Sequence, residues 1–508
     1  MSEENHLGAR LRAASLGRDD VRFARLAGGG SVTYGQLWRQ AGCCAAALVT
    51  AGVQPGDRVA AQVEKSIEAL TLYLGTVLAG GVFLPLNPAY TTSEVAYFLG
   101  DAEPTIFVCD PDRAAALLPV AANAGVAEVL TLGADGQGTL AKAVLAEPPG
   151  FAPVPRGPED LAAILYTSGT TGRSKGAMLS HANLASNSET LRDLWRFTQD
   201  DVLIHALPIF HTHGLFVATN VTLFAGGSVI FMPRFDADTV IAALPHATAM
   251  MGVPTFYMRL LAHPGLTREA VAGIRLFISG SAPLLPETHR AWTGRTGHAI
   301  LERYGMTETN MTTSNPYDGE RRPGTVGFPL PGVELRICEP GTDRALPQGE
   351  VGMIEVRGPN VFKGYWRMPA KTAEELRPDG WFITGDLGEV DARGYVSIVG
   401  RGKDLIISGG FNVYPREVEE AIDALPGVTE SAVIGLPHPD FGEGVAAVIV
   451  PAPGARITPA EVRAALEGRL ARFKQPRHVW IVDALPRNAM GKVQKNVLRE
   501  TYRDAFAG

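Results

Sequence analysis

An α/β fold in more than one domain is what this sequence predicts: a large N-terminal part of two similar α/β layers with a small β-barrel-like subdomain, then a small α+β C-terminal domain. Three observations predict it. The chain has 508 residues, more than a single hydrophobic core organises. Two segments, LTLYLGTVLAGGVFLPL and VATNVTLFAGGSVIFM, repeat the order helix, Ala-Gly-Gly, strand, a unit that suits layered α/β structure. After Gly400-Arg401-Gly402 the chain changes to a short α+β pattern. The division predicted is 1–402 and 403–508, the latter about 105 residues and long enough for a small domain.

The strands of the large part read as continuous apolar runs: LAAILYT (161–167), VLIHALP (202–208), ATAMMGVP (247–254) and IRLFISG (274–280). Each ends in Gly, Pro or a Ser/Thr-rich turn and leads into a helical pattern, as buried parallel strands do. From about 320 to 400, GVELRIC, GMIEVRG and GYVSIVG stand between Gly/Pro turns, and this is the region predicted to be barrel-like. Beyond 402 the order is strand, helix (REVEEAIDAL), strand (ESAVIGLP), strand (GVAAVIVP), helix (TPAEVRAALEGRLARF), strand (HVWIVD).

Composition narrows the class. Hydrophobic residues are 46% and charged residues 19%, with a formal net charge of −7; this is the profile of a globular enzyme and not of a general nucleic-acid binder. The uncharged stretches 69–93 and 214–233 are interrupted by Gly80-Gly81, Pro85 and Gly226-Gly227, so no membrane span is predicted. Cys43, Cys44, Cys109 and Cys338 form neither a disulfide framework nor a metal-ligand spacing, which suits a reducing cytoplasm. Between 472 and 499 lie seven Lys/Arg and one acid, Asp483: a solvated surface, or a face that meets phosphates.

The sharpest feature is Tyr166-Thr-Ser-Gly-Thr-Thr-Gly-Arg-Ser-Lys175-Gly176, directly after a buried strand. Glycines let backbone N–H groups approach an anion, and hydroxyls and a lysine add donors. The order is not that of a P-loop, because no Gly-Lys-Ser/Thr closes it.

This segment resembles the phosphate loop of the adenylate-forming superfamily, which includes acyl-CoA synthetases. Four further segments resemble that family's motifs, in its order: Tyr304-Gly-Met-Thr-Glu308-Thr, Thr384-Gly385-Asp386, Gly400-Arg401-Gly-Lys403-Asp404 and Pro486-Arg-Asn-Ala-Met-Gly491-Lys492. The resemblance implies the adenylate-forming fold, with residues 1–402 binding ATP and the acid and a mobile domain 403–508 carrying a catalytic lysine. It also implies ATP, Mg²⁺ and coenzyme A as the small molecules bound. By the same resemblance ATP is held by Thr167, Ser168, Gly169, Thr170, Thr171, Gly172, Lys175, Gly280, Ser281, Ala282, Glu302, Arg303, Tyr304, Gly305, Met306, Thr307, Asp386 and Arg401. Within that set the Tyr304 ring meets adenine, Thr307 the α-phosphate and Asp386 the ribose. Glu308 would hold Mg²⁺. Catalysis falls to Lys492, Glu308, Thr167 and His211. Lys403 is the hinge, and Ser408, Gly409, Gly410 and Phe411 line the coenzyme A channel. A single catalytic lysine also implies control by a lysine acetyltransferase acting on Lys492.

The acid is indicated by two segments. Leu207-Pro-Ile-Phe-His211-Thr-His213-Gly214 follows a strand, and the family sets a histidine or aromatic ring at His211, by the carboxylate entrance. In Gly252-Val-Pro254-Thr-Phe256-Tyr-Met-Arg259-Leu260-Leu261, Pro254 suits a helix start. Spacing predicts Phe256, Arg259 and Leu260 on one face. By itself an arginine there snorkels to solvent; the resemblance implies that this helix borders the acyl pocket, where a guanidinium would suit a dicarboxylate, since the planar fork matches carboxylate. With segments 279–290 and 302–319, the chain resembles the malonyl-CoA synthetases. There Arg259, His211, Ser281 and Met306 would receive malonate, and methylmalonate would fit too. A ligase for another short or aryl acid, and an adenylation enzyme loading a carrier protein, are the alternatives.

Overall fold

The computed structural model describes residues 4–167, 174–408, 411–467, 469–488 and 491–506, without the Asn412 side chain. The chain packs into two compact units, Met1–Glu334 with Arg357–Phe382, and Leu335–Val356 with Ile383–Gly508. The division predicted at 402/403 falls within the second unit.

The first unit holds two sheets. One has six strands in the order Glu128–Thr131, Ile106–Cys109, Arg58–Gln62, Val82–Pro85, Leu161–Thr167, Lys175–Ser180. Its neighbours are parallel except the last pair. The other has nine, in the order Phe328–Pro329, Asn310–Ser314, Leu301–Met306, Leu276–Ser279, Ala249–Gly252, Val202–His205, Ser228–Phe231, Arg22–Leu26, Ser31–Thr33. Its six inner strands, Leu301–Met306 through Arg22–Leu26, run parallel. Parallel strands need both faces covered, which is why their sequences are apolar runs.

Each repeated helix-to-strand segment belongs to one of these sheets. Helix Ile67–Leu78 is buried all round except at Glu68, and Gly80 turns with φ +75° into Val82–Pro85. Helix Asn220–Ala225 ends at Gly226, φ +71°, before Ser228–Phe231. A helix that stops in the left-handed region favours glycine there. Among the described residues no helix is long and apolar enough to cross a membrane.

One element of the first unit differs from the sequence reading. Leu161–Thr167 leads into an antiparallel partner, Lys175–Ser180, with Thr167 opposite Lys175, and only then into helix His181–Leu194. The six residues KGAMLS alternate too briefly to be told from a helix start by periodicity alone.

The second unit holds most of a four-stranded sheet, ordered Glu334–Cys338, Gly352–Arg357, Phe382–Val390, Val396–Arg401. It also holds a sheet ordered Phe411–Val413, Ile406–Ser408, Gly442–Pro451, Val428–His438, with His478–Ile481 parallel to Gly442–Pro451. Helices Pro415–Asp423 and Pro459–Leu466 pack on the latter through Val418, Ile422, Val462 and Leu466. The second of these is shorter than predicted. It closes at Leu466, just before Gly468, and glycine is a poor helix former.

Candidate active site

Ligands of parallel sheets bind beyond the carboxyl ends of the strands. In the nine-stranded sheet four such ends carry the segments singled out in the sequence. Register sets Gly252 beside Ser279, and Ser279 beside Glu302. The residues that follow, Val253 with helix Pro254–Ala262 and Gly280-Ser281-Ala282, therefore leave the sheet along one edge, beside Arg303 to Met306, which run on in strand Leu301–Met306 and pair with Asn310–Ser314. The turn bearing His211 and the π-helical segment His213–Thr219 follow the neighbouring strand, Val202–His205.

Ser281 has φ +72°, a region L-residues other than Asn and Asp seldom occupy. Its Oγ is 3.2 Å from Nδ1 of His213. His213 is buried, and burial first, then the Arg303 charge, holds its imidazole neutral, well below the ordinary histidine pKa. The His211 ring turns back on the chain, its Nδ1 accepting the His213 N–H at 3.3 Å. The sequence reading grouped Ser281 with His211; the structure gives it His213 as partner.

Helix Pro254–Ala262 starts at proline as predicted and buries Tyr257 and Leu260, while Phe256 stacks on Phe235 with centroids 4.0 Å apart. Arg259 is not on that buried face. The i, i+3 pair that packs inward is Tyr257 and Leu260, which turns Met258 and Arg259 to solvent. Arg259 makes no hydrogen bond or ion pair among the described residues.

Glu302 is buried, and its Oε1 accepts the Leu284 N–H at 3.2 Å. Arg303, next on the strand and so on the opposite face, is buried against Gly280, where a Cβ would lie 2.4 Å from its Cζ. Gly305 is fixed by the hairpin to Asn310–Ser314, since a Cβ there would meet the Asn310 carbonyl oxygen at 1.8 Å. Tyr304, Met306 and Thr307 are half-buried, as is Ala282, and Glu308 is buried.

In the six-stranded sheet, Tyr166 points back into the fold. Its ring packs on Phe98 and its O–H donates to Asp101 at 2.5 Å. Thr167 ends the strand, and Ser168, Gly169, Thr170, Thr171 and Gly172 lie outside the described residues. Lys175 has both Glu375 carboxylate oxygens at 3.1 Å and stands 4.0 Å over the Tyr365 ring. The Tyr365 O–H donates to Glu308 Oε1 at 3.0 Å and also meets Glu375. Burial, then Glu308 and Glu375, keeps the phenol protonated far above its ordinary range. Burial opposes ionisation of Glu375, but hydrogen bonds from Tyr365, Lys371 and Lys175 outweigh it and hold the carboxyl below its usual pKa. Lys175 and Glu308 thus belong to one charged network.

That network bears on Mg²⁺. Among the described residues no group of three acidic, histidine or cysteine side chains could hold a metal. Mg²⁺ ordinarily needs only one or two carboxylates when substrate phosphates supply the rest. The buried carboxylate of Glu308 fits that mode and not a cage made of protein alone.

In the second unit, Asp386 is buried and opposite Arg401 in register, with Arg401 Nε 2.8 Å from its Oδ1. Lys403 lies in the short turn Gly402–Asp404; partial shielding, then Arg401, lowers its ammonium to about 8. Ser408 is buried, Phe411 stacks on Phe473 at 4.7 Å, and Gly409 and Gly410 lie outside the described residues. Lys492 is exposed on a tight turn. Its N–H donates to Asn488 Oδ1 at 3.0 Å, its carbonyl accepts from the Asn488 N–H at 2.9 Å, and Gly491 before it has φ +75°. The basic run 472–499 is largely spoken for: Lys474, Arg487, Lys495 and Arg499 pair with Glu417, Glu430, Glu419 and Asp404.

The AMP-binding enzyme family matches residues 12–366, and the AMP-binding enzyme C-terminal domain matches 417–492. The chain is an AMP-binding enzyme. Over its whole length it is similar to ATP-bound MatB from Rhodopseudomonas palustris, with 62% identity, all of both chains covered and a TM-score of 0.97. A feruloyl-CoA synthase of Amycolatopsis sp is 37% identical over 97% of this chain and 100% of its own. The malonate–CoA ligase of Arabidopsis thaliana is 34% identical over 89% of this chain and 79% of its own.

Three residues of this AMP-binding enzyme's site escaped the sequence reading. His213 had a signal, being the second histidine of His-x-His. Tyr365 and Glu375 had none: they lie 190 to 200 positions from Lys175 in segments without an unusual composition.

Proposed function

We propose that this AMP-binding enzyme ligates malonate to coenzyme A through a malonyl-adenylate, releasing AMP and pyrophosphate, and accepts methylmalonate as well. The observation that carries the reading is the full-length likeness, 62% identical, to ATP-bound MatB, alongside a relative named malonate–CoA ligase. In the first step a carboxylate attacks the α-phosphate of ATP. Two anions must meet, so the protein's work is positioning and charge neutralisation. Thr167, Lys175 and the loop between them hold the phosphates, Tyr304 the adenine, Thr307 the α-phosphate, and Asp386 with Arg401 the ribose. Mg²⁺ held through Glu308 would neutralise phosphate charge. Arg259, His211, Ser281 and Met306 receive malonate. Lys492 brings a cation to the reacting carboxylate, and its acetylation would remove that charge.

The second step needs a thiol where the first needs a lysine. Lys403 is the hinge that exchanges them, with 403–508 as the moving domain and the strand end at Ser408 to Phe411 lining the thiol's path. Proline fixes φ near −65°, and a hinge must change its backbone angles. Lys403→Pro should therefore still release pyrophosphate in the first turnover yet form no thioester. Normal malonyl-CoA production by that variant would remove Lys403 from the role.

An aromatic acid is the second reading, favoured by the 37% identity to a feruloyl-CoA synthase. One panel decides: malonate, methylmalonate, propionate and ferulate, each with ATP and coenzyme A, scored for acyl-CoA and nucleotide. Malonate should lead and AMP should be the nucleotide. ADP as product would overturn the chemistry, and ferulate in the lead would overturn the acid.

A further inference from the structure

Arg303 is a buried cation of the first unit with no ion pair among the described residues. It is 3% exposed, and its Nε and Nη2 reach no acceptor among the described residues. Burial, offset in part by the Tyr257 phenol, lowers the guanidinium only to about 9, so it stays charged at neutral pH. An unpaired charge in a protein interior is among the costliest arrangements a fold can keep. Surface arginines such as Arg259 carry no such cost, because water pairs them.

The surroundings are built for close approach. Gly280 has no side chain, and a Cβ there would collide with the guanidinium. His213 is near enough for the Arg303 charge to depress its imidazole, and its Nε2 is buried without a partner. Since Nδ1 faces the Ser281 hydroxyl, a serine that donates there leaves the proton on Nε2, a second unused donor. The Tyr257 hydroxyl is not available to either, being given to the Ile278 carbonyl at 2.6 Å. Arg303, Gly280, Ser281 and His213 make one continuous patch at the carboxyl ends of the parallel strands, where such sheets bind ligands.

We propose that Arg303, with His213 beside it, is a seat for the acid's second carboxylate, the one that does not react. The inference rests on the malonate reading and adds a cation to it. Arg303 is buried before substrate arrives, so a monocarboxylate entering the site would leave it unpaired. That penalty selects against monocarboxylates, as sites with buried polar groups do against substrates that cannot pair them.

The test uses the full-length enzyme, wild type, Arg303→Met and Arg303→Lys, with two readouts. Pyrophosphate release gives kcat/KM for malonate and propionate, and thermal unfolding gives the Tm shift caused by malonate alone and by ATP alone. Arg303→Met should lower malonate kcat/KM roughly a hundredfold or more, as truncating one member of a buried charge pair does, while propionate turnover rises. The family resemblance groups Arg303 with the residues that hold ATP, and the proposal assigns it to the acid instead; the malonate-induced Tm shift of Arg303→Met should therefore vanish and its ATP-induced shift persist. Arg303→Lys should recover part of the malonate activity, since a point charge replaces the fork incompletely. A parallel fall for both acids, or loss of the ATP shift, would make Arg303 structural and overturn the seat. So would a malonate shift that survives in Arg303→Met. A wild type that prefers propionate would sink the malonate reading, and the malonate-induced Tm shift would still report on the seat by itself.

Discussion

Lys492→Ala should lower the adenylation rate roughly 10²- to 10³-fold, the usual loss when one preorganised electrostatic donor is removed from a reacting centre. Transfer from supplied malonyl-adenylate to coenzyme A should stay near the wild-type rate. The first step brings a carboxylate to a phosphate and needs a cation between them; the second brings a thiol to a carbonyl and does not. Stability should hardly change. Lys492 is exposed at the tip of a turn whose geometry comes from Asn488 and Gly491, and surface substitutions stay within about 0.5 kcal/mol. Rapid-quench measurement of each half-reaction, with Tm as control, is the check. Equal losses in the two half-reactions would take the lysine out of the first step.

The second large effect is at Arg259. Arg259→Ala should lower malonate kcat/KM roughly a hundredfold, or about 2–5 kcal/mol for a charge pair desolvated on binding, and spare propionate. Arg259 is exposed and makes no hydrogen bond or ion pair among the described residues, so its removal costs the fold little and the expected loss belongs to substrate binding. Arg259→Lys should rescue poorly, because a point charge lacks the planar fork. If Arg259 and Arg303 grip the same carboxylate, the double variant should lose less than the sum of the single losses, the mark of residues sharing a partner. Kinetics on wild type, Arg259→Ala, Arg259→Lys, Arg303→Met and the Arg259→Ala/Arg303→Met double variant, with malonate, methylmalonate and propionate, measure this. A loss that is uniform across the acids would return Arg259 to a structural part.

Much of the molecule could be read from local signals. The two helix-to-strand repeats and the proline that opens helix Pro254–Ala262 each depend on backbone angles or on a periodicity of a few residues. Those constraints are written where they act. The five motif segments are likewise short and contiguous, and their order along the chain is itself information.

What only the tertiary structure decided depends on residues far apart. Spacing put Arg259 on an apolar face, but which arc of a helix is buried depends on its neighbours, and here Tyr257 and Leu260 took it. Arg303 read as one letter of a nucleotide motif; strand register and the bare Gly280 are what bury its guanidinium beside His213. Lys175 meets Glu375 and, through Tyr365, Glu308 because a hairpin and the segment around 365 pack together, and no pattern along the sequence announces that meeting. Local geometry is encoded by adjacent residues, whereas burial and charge pairing are properties of contacts that exist only once the chain has folded.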